Sequence, residues 1–454
     1  MEITLKKASQ KDCVAFNEIQ SLAFEEPSRF LNIASNNFST AEEFINRKNC
    51  EAYKICVNGK IVGAVYLRME GIKCEIYRIF VSPEYMNQGI GSYALDKIIE
   101  KKQQYVIFHL VTPVKLQKNV AFYKKIGFEQ KKSVQENGLE MAYFEKIISR
   151  NAVTGLKPSS GGLHLGHFVG NIEPLIKYQE CAKCFFVFAD LQLFCNGGAL
   201  SYIKEEIDAN IRLMLKQLIA LGVNPQKVTF LKESVFKSDK LHELLFCSDF
   251  ISVNNLQSIP LIKHLTTEGA PRASLLLYPL MQTLDFVLTD ADVAFSNIDN
   301  KACVEVSNDM IKKINASSAR KYKEVKLING KLKFLMGTDG QKMSKKAGNA
   351  IFIGEELNSL KQKINSMYTG SGDLNSEKDI KNNVVFSYLY LFMDEENYNL
   401  RVKKYIEGTV SDSENKQLLY ELMAKWMTDV STKMNSVSER VLDEIMAKMN
   451  IKEN

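Results

Sequence analysis

The sequence predicts an α/β protein with more than one domain, and three observations carry that prediction. Its 454 residues exceed the roughly 100–200 residues of an ordinary domain. The first 150 residues alternate short β-branched runs with helical ones. Near Ala152 a new unit opens as strand, glycine-rich turn, helix and apolar strand, an order that builds a parallel sheet. From about Asn358 the pattern turns mostly helical. The expected organisation is a sheet domain over 1–150, a Rossmann-like domain over 151–357 and a helical region over 358–454.

The elements follow in order. Glu51–Val57 and Ile61–Met69 are strands joined by Asn58-Gly59, a strong hairpin signal. Lys73–Val81 is a further strand. Gly91–Lys101 is a helix with Ala94, Leu95, Ile98 and Ile99 on one face. Tyr105–Thr112 is a strand, Lys118–Ile126 a helix and Met141–Ile147 a last strand. In the second unit a helix runs through Ile172–Gln179, followed by the apolar strand Cys184–Ala189.

Composition narrows the function classes. Hydrophobic residues are 45% and charged residues 25%, which excludes a disordered, collagen-like or coiled-coil chain. No apolar run reaches the ~18 residues of a membrane span. The start MEITLKKASQKD carries no signal-peptide pattern. A cytoplasmic protein with no membrane partner is expected. Nine cysteines then read as free thiols in a reducing compartment. Cys181 and Cys184 form a single CxxC, read as a zinc or redox pair or as two packed thiols. The formal charge is +6; residues 1–150 hold 22 Lys+Arg against 17 Asp+Glu, leaving 37 against 36 for the rest.

The first chemical constellation lies in Tyr77–Ser92, YRIFVSPEYMNQGIGS, with Asn119–Phe128, NVAFYKKIGF. A strand ends at Val81, and Gly89-Ile90-Gly91 opens a helix whose N–H groups suit an anion such as pyrophosphate. Together these resemble the GCN5-related N-acetyltransferase (GNAT) family over about residues 1–148. The resemblance implies acetyl-CoA as cosubstrate. It implies backbone contacts at Ile79, Phe80 and Val81, a phosphate loop at Gln88, Gly89, Gly91 and Ser92, Asn119 near the pantetheine arm, and Tyr123 as the acid that reprotonates the thiolate. Met86 stands where the family has Arg or Gln. Glu75 is either a general base for an amine or an ordinary strand carboxylate.

The second constellation joins Val153–Gly170, VTGLKPSSGGLHLGHFVG, to Gly340–Asn349, GQKMSKKAGN, about 175 residues away. His164 and His167 stand at the start of a helix, where imidazoles suit phosphate charge; a zinc pair is the competing reading, with no third ligand at suitable spacing. Gly166 leaves room for a flat base against backbone. A lysine-rich loop suits a migrating pyrophosphate, since its charge is needed mainly in the transition state.

HLGH and KMSKK together resemble class I aminoacyl-tRNA synthetases, and over about 152–440 the tryptophan-specific ones. The supporting pieces are Thr154-Gly155-x-x-Pro158-Ser159, Leu218–Glu233, Tyr278–Asp285, Ser366-Met-Tyr-Thr and Asn383–Leu389. The resemblance implies Mg-ATP, tryptophan and tRNA as substrates, a homodimer and an anticodon-reading helical region over 358–454. His164, His167, Lys342 and Lys345 would be catalytic. Thr154, Gly155, Lys157, Gly166, His167, Asp299, Asn300, Lys342, Met343, Ser344 and Lys345 would hold ATP, with no protein-bound metal.

Tyr278, Gln282 and Asp285, at i−7 and i−3 from the aspartate, would hold the amino acid, with Asp285 accepting the indole N–H. Tyrosine is the rival substrate, because its synthetases share Tyr-x-x-x-Gln-x-x-Asp. Departures include Phe295 for Pro and Asn297-Ile-Asp-Asn300 for Gly-x-Asp-Gln at the ribose loop, Asn308 for a later Arg, and Lys346 for Ser at the end of the lysine loop. Arg401, Lys403, Lys404, Lys416, Lys425 and Lys433 could meet phosphates or be solvated, and Trp426 reads as core.

The expected function is a bifunctional tryptophan--tRNA ligase-like enzyme and N-acetyltransferase. Two alternatives remain: an amino-acid-activating ligase of specialised metabolism or resistance whose product is acetylated, and a degenerate synthetase that binds tRNA or tryptophan as a regulator.

Overall fold

The computed structural model describes residues 2–32, 40–196, 204–238, 240–260, 262–263, 273–332, 334–345, 347–370 and 380–451. The chain divides into two compact units, Met1–Ser149 and Arg150–Asn454. Lys346 lies outside the described residues. Among them, no helix is long and apolar enough to cross a membrane.

The first unit is a seven-stranded sheet: β1 (Ile3–Lys7), β2 (Cys50–Val57), β3 (Lys60–Glu70), β4 (Lys73–Val81), β5 (Ile107–Pro113), β6 (Glu129–Glu136) and β7 (Leu139–Ile147), in the order β1-β2-β3-β4-β5-β7-β6. The β2–β3 hairpin turns on Asn58 (φ 47°) and Gly59 (φ 84°), positive values that this dipeptide tolerates. β3 reads as a nearly continuous apolar run because both its faces are covered. Val65 and Leu67 join the core shared with helices Ile90–Lys101 and Gln117–Lys125. Ala64 and Tyr66 face the core under helix Cys13–Leu31. β4 and β5 run parallel and pair only at Lys73–Glu75 with Ile107–His109. Beyond Glu75 the two strands part, and a wedge opens beside Ile76–Val81.

The second unit holds a five-stranded sheet of β8 (Asn151–Leu156), β9 (Lys183–Phe188), β10 (Val228–Lys232), β11 (Val293–Phe295) and β12 (Lys326–Ile328). The order is β10-β9-β8-β11-β12, and every pairing is parallel. Consecutive strands step outward from β8 in one direction, and then the chain crosses back to β11. That reversal opens a crevice at the carboxyl ends of β8 and β11, where such sheets bind ligands. Helices Leu357–Asn365, Val384–Phe392, Glu395–Ile406, Asp412–Ser436 and Glu439–Met449 follow. Trp426 is half-buried and packs between Phe168 and Phe392, at ring centroid distances of 5.4 and 5.3 Å. The helical tail is thereby seated on the turn that follows the histidines.

Candidate active site

A cavity of about 380 Å³ lies at the β8–β11 crevice. It brings together Thr154, Gly155, Lys157, His164, Gly166, His167, Tyr278, Gln282, Asp285, Asp299, Asn300, Lys342, Met343 and Lys345 from four distant stretches of chain. Ser344 is not among its lining residues; its backbone N–H donates to Asn349 Oδ1 at 2.8 Å.

The histidines do not sit side by side on one helix turn. His164 is extended (φ −123°, ψ 168°) and precedes helix Leu165–His167, which continues through a π turn, Phe168–Ile172. Their rings stack instead, 3.6 Å apart at 22°. Burial, with Lys345 nearby, pulls His164 down to about 4, and burial pulls His167 well below its ordinary value. Both are therefore neutral at pH 7 and offer N–H donors rather than positive charge.

A stability consequence follows from the sign of those shifts. Between about pH 6.5 and 4 the unfolded histidine binds a proton that folded His164 refuses, so stability falls as pH falls through that window. The unfolding midpoint of the full chain is expected to drop across it, and His164→Gln is expected to make the drop shallower. Parallel melting curves for the two proteins across that window would contradict this.

The lysine loop folds back onto the histidine segment. Leu165 N–H donates to Ile351 O at 3.0 Å, and Ile353 N–H to Leu163 O at 2.8 Å. Lys345 Nζ reaches Ser159 Oγ (3.0 Å), Ser160 O (2.8 Å) and Gly162 O (2.7 Å); burial lowers it to about 8. Lys342 is mostly exposed and pairs with Asp299 at 2.7 Å. Met343 is buried over Gly166, whose missing Cβ would lie 3.2 Å from Sδ.

Sequence reasoning passed over the residues that brace this arrangement. Asn349 Nδ2 ties Asp339 Oδ1 (2.8 Å) to Lys342 O (3.1 Å). Gln217 accepts from Leu163 N–H at 2.8 Å and donates to Ile353 O at 2.9 Å. Gly162 is left-handed (φ 67°), and a Cβ on it would stand 2.4 Å from Gln217 Oε1, so a side chain there would displace this brace. Gln217 could have been suspected, as a polar side chain on the apolar face of helix Lys204–Leu221.

The altered ribose loop has its own contacts. Asn297 Nδ2 donates to Gly166 O at 3.3 Å, and Asn300 Nδ2 donates to Ser296 Oγ at 2.6 Å. Asn308 brackets Val325, donating to its O and accepting from its N at 2.8 Å each. Phe295 is buried edge-on against Tyr178. Thr154 lines the cavity, yet its hydroxyl donates to Phe295 O (2.9 Å) and accepts from Asn171 (2.8 Å), stitching β8 to β11.

At the other end of the cavity, Tyr278, Gln282 and Asp285 share one face of helix Ala273–Leu288. Lys157 lies 5.7 Å from the Tyr278 ring centre. Gln282 Oε1 is buried with no hydrogen-bond partner among the described residues. Of the basic residues in the tail, Arg401 Nε is taken by Asn415 Oδ1 (2.6 Å) and Lys416 Nζ by Asn365 O (2.8 Å). Lys403, Lys404, Lys425 and Lys433 stand exposed on the helical tail.

In the first unit, Gly89 is left-handed (φ 78°) and starts helix Ile90–Lys101 beside the wedge. Gln88 Nε2 donates to Glu84 O (3.1 Å), Ser92 Oγ to Gly89 O (3.0 Å), and Asn119 Nδ2 reaches Thr112 Oγ1 (3.5 Å). Ile79, Phe80 and Val81 lie on the β4 stretch that β5 leaves. Tyr123 is buried among Phe122, Phe128 and Phe144; burial pushes its phenol up to about 12, so it carries its proton at neutral pH. Glu75 is paired with Arg68 at 2.6 Å.

Stacked histidines and a lysine loop thus meet in one cavity at the switch point of a parallel sheet. Residues 149–434 match the family of class I tRNA synthetases (W and Y), and the chain belongs to that family. Residues 16–128 match the acetyltransferase (GNAT) family, so the first unit carries a GNAT domain. The chain is 30% identical to the tryptophan--tRNA ligase of Chlamydia caviae over 290 residues, 61% of this chain and 83% of the relative. It is 29% identical to that of Borreliella burgdorferi over 303 residues, 64% and 85%. Among solved structures, the tryptophanyl-tRNA synthetase of Campylobacter jejuni complexed with ADP and tryptophan superposes with a TM-score of 0.54 at 27% identity. That match covers 66% of this chain and 93% of the other.

Proposed function

We propose that the second unit converts tryptophan and Mg-ATP to tryptophanyl-adenylate and transfers the amino acid to tRNA, while the first unit is an acetyl-CoA-dependent N-acetyltransferase. The observation that carries the ligase reading is the single cavity shared by His164, His167, Lys342 and Lys345 at one end and Tyr278, Gln282 and Asp285 at the other. Adenylate formation needs a nucleotide and a carboxylate held in line within one closed space. Neutral His164 and His167 donate N–H groups to the α-phosphate region. Lys345 and Lys342 face the departing pyrophosphate. Asp285 accepts the ring N–H of the substrate. The region 358–454 reads the tRNA, the chain works as a homodimer, and its setting is the cytoplasm.

The first unit's wedge fits acetyl-CoA, which would supply the acetyl group and a thiolate leaving group. The open edge at Ile79, Phe80 and Val81 offers backbone partners. Gln88, Gly89, Gly91 and Ser92 surround the amides of a helix start, suited to pyrophosphate. Asn119 would stand by the pantetheine arm. Tyr123, protonated, holds the proton the thiolate needs. Fusion of the two units favours an acyl acceptor made by the ligase, such as an aminoacyl-adenylate or an aminoacyl-tRNA.

Mass spectrometry of the full chain with tryptophan, ATP, tRNA and acetyl-CoA tests the reading. Tryptophanyl-tRNA and an N-acetylated tryptophanyl product are expected. No adenylate and no charged tRNA would overturn the ligase reading. Charging without acetylation would overturn the shared-metabolite reading.

A further inference from the structure

Beneath the amino-acid end of the cavity lies a buried charged chain, of which the roles above use only Asp285. Lys237 follows the short helix Glu233–Phe236, and its side chain is 2% exposed. Its ammonium has three N–H donors. It donates to Glu233 Oε1 at 2.7 Å and to Met281 O at 2.8 Å, and it stands 2.7 Å from Asp285 Oδ1 as an ion pair. Glu233 is fully buried and also accepts from Gln192 Nε2 at 2.8 Å and Gln192 N–H at 3.3 Å. The chain therefore runs Gln192–Glu233–Lys237–Asp285. Its two ends line the cavity and its middle does not.

Burying three charges is costly unless each is paired and hydrogen-bonded. Two buried carboxyl groups share this one ammonium. Lys237 donates to Glu233 and Met281, pairs its charge with Asp285 and does not line the cavity, so the floor presents the Asp285 carboxylate there. An indole N–H, a donor with no lone pair to satisfy, matches such a floor. A phenol would bring unpaired lone pairs to a carboxylate.

We propose that Lys237 is the specificity-setting positioning residue of the amino-acid pocket, an ammonium under the floor that holds Asp285 as a fixed, ionised acceptor selecting a ring with an N–H donor. The inference rests on the tryptophan-activating reading above. Other groups reach the same centre. Glu233 faces Asp285 from the helix after β10, Tyr278 from Asp285's own helix, and Cys195 faces Glu233 and Lys237 from segment Leu191–Asn196, while Cys303 faces Tyr278 from helix Lys301–Ser317. Burial and Glu233 push the Asp285 carboxyl up, and Lys237 opposes that rise. Without Lys237 the acid limb of tryptophan binding moves to higher pH.

The test uses the full chain, with Lys237→Met and the near-isosteric Lys237→Gln. ATP–pyrophosphate exchange is followed with tryptophan and with 3-benzothienylalanine, in which sulfur replaces the ring N–H, from pH 6 to 9. At neutral pH the variants are expected to raise KM for tryptophan about tenfold or more, the equivalent of one unit in the Asp285 pKa. Their preference for tryptophan over the sulfur analogue should shrink and return as pH rises, with kcat less affected. On an Asp285→Asn background, Lys237→Gln should add nothing. Folded variants with unchanged preference and pH profile, or effects additive with Asp285→Asn, would overturn the proposal. A wild-type chain lacking tryptophan-dependent exchange would instead overturn the reading beneath it.

Discussion

Lys345→Ala is expected to lower kcat for tryptophan-dependent ATP–pyrophosphate exchange by roughly 10²–10³, the cost of removing one preorganised group from a developing charge. KM for tryptophan should stay nearly unchanged, because Lys345 reaches the Ser159–Gly162 turn rather than the amino-acid end. In the structure its ammonium rests on oxygens of that turn, and burial has already lowered its pKa to about 8. An ammonium kept partly dry binds pyrophosphate charge more strongly than a solvated one. Steady-state kinetics with a parallel melting curve checks the prediction. A folded variant that loses tryptophan affinity and keeps kcat would show that Lys345 only ties the loop.

Asp285→Asn is expected to raise KM for tryptophan by roughly 10–150-fold, the 1.5–3 kcal/mol of a hydrogen bond to a charged group. An asparagine can turn its NH₂ toward the indole and present donor to donor. Discrimination against analogues lacking the ring N–H should collapse with it, since a pocket rejects them only while its acceptor would go unpaired. The variant keeps its fold, because Lys237 retains Glu233 and Met281 O. Binding isotherms for tryptophan and its sulfur analogue check this directly. Unchanged selectivity would move the recognition of the ring to Gln192 or Gln282.

Much of this was legible in the sequence, for reasons particular residues make plain. Asn58-Gly59, the two-faced apolar run of β3 and the helix Ile90–Lys101 carry strong local signals, and each element stands within two residues of its expected bounds. The edge strand Glu129–Glu136 was not legible. It is exposed along its whole length and rich in Lys, Gln and Glu, which blunt an open edge but leave no apolar alternation to read. The first helix, Cys13–Leu31, hid behind an interior Pro27 and several exposed apolar residues.

At the site, HLGH and the lysine loop were visible because their residue types are unusual at that spacing. Their contact could not be read locally, since it depends on Gln217 and Asn349, polar residues whose partners are distant in sequence. The same holds for Lys237. In sequence it is one lysine among many, and only the fold sets it 2.7 Å from Asp285. The ribose-loop departures also gained a physical meaning. Asn308 and Asn300 satisfy internal polar groups, and Asn297 fastens the loop to Gly166, where a bare glycine would leave the carbonyl open.

The most direct measurement is ATP–pyrophosphate exchange by the full chain across the twenty amino acids. Exchange with tryptophan well above every other amino acid, tyrosine included, is the result the cavity and its charged floor predict. Exchange independent of added amino acid, or driven by tyrosine instead, would contradict it.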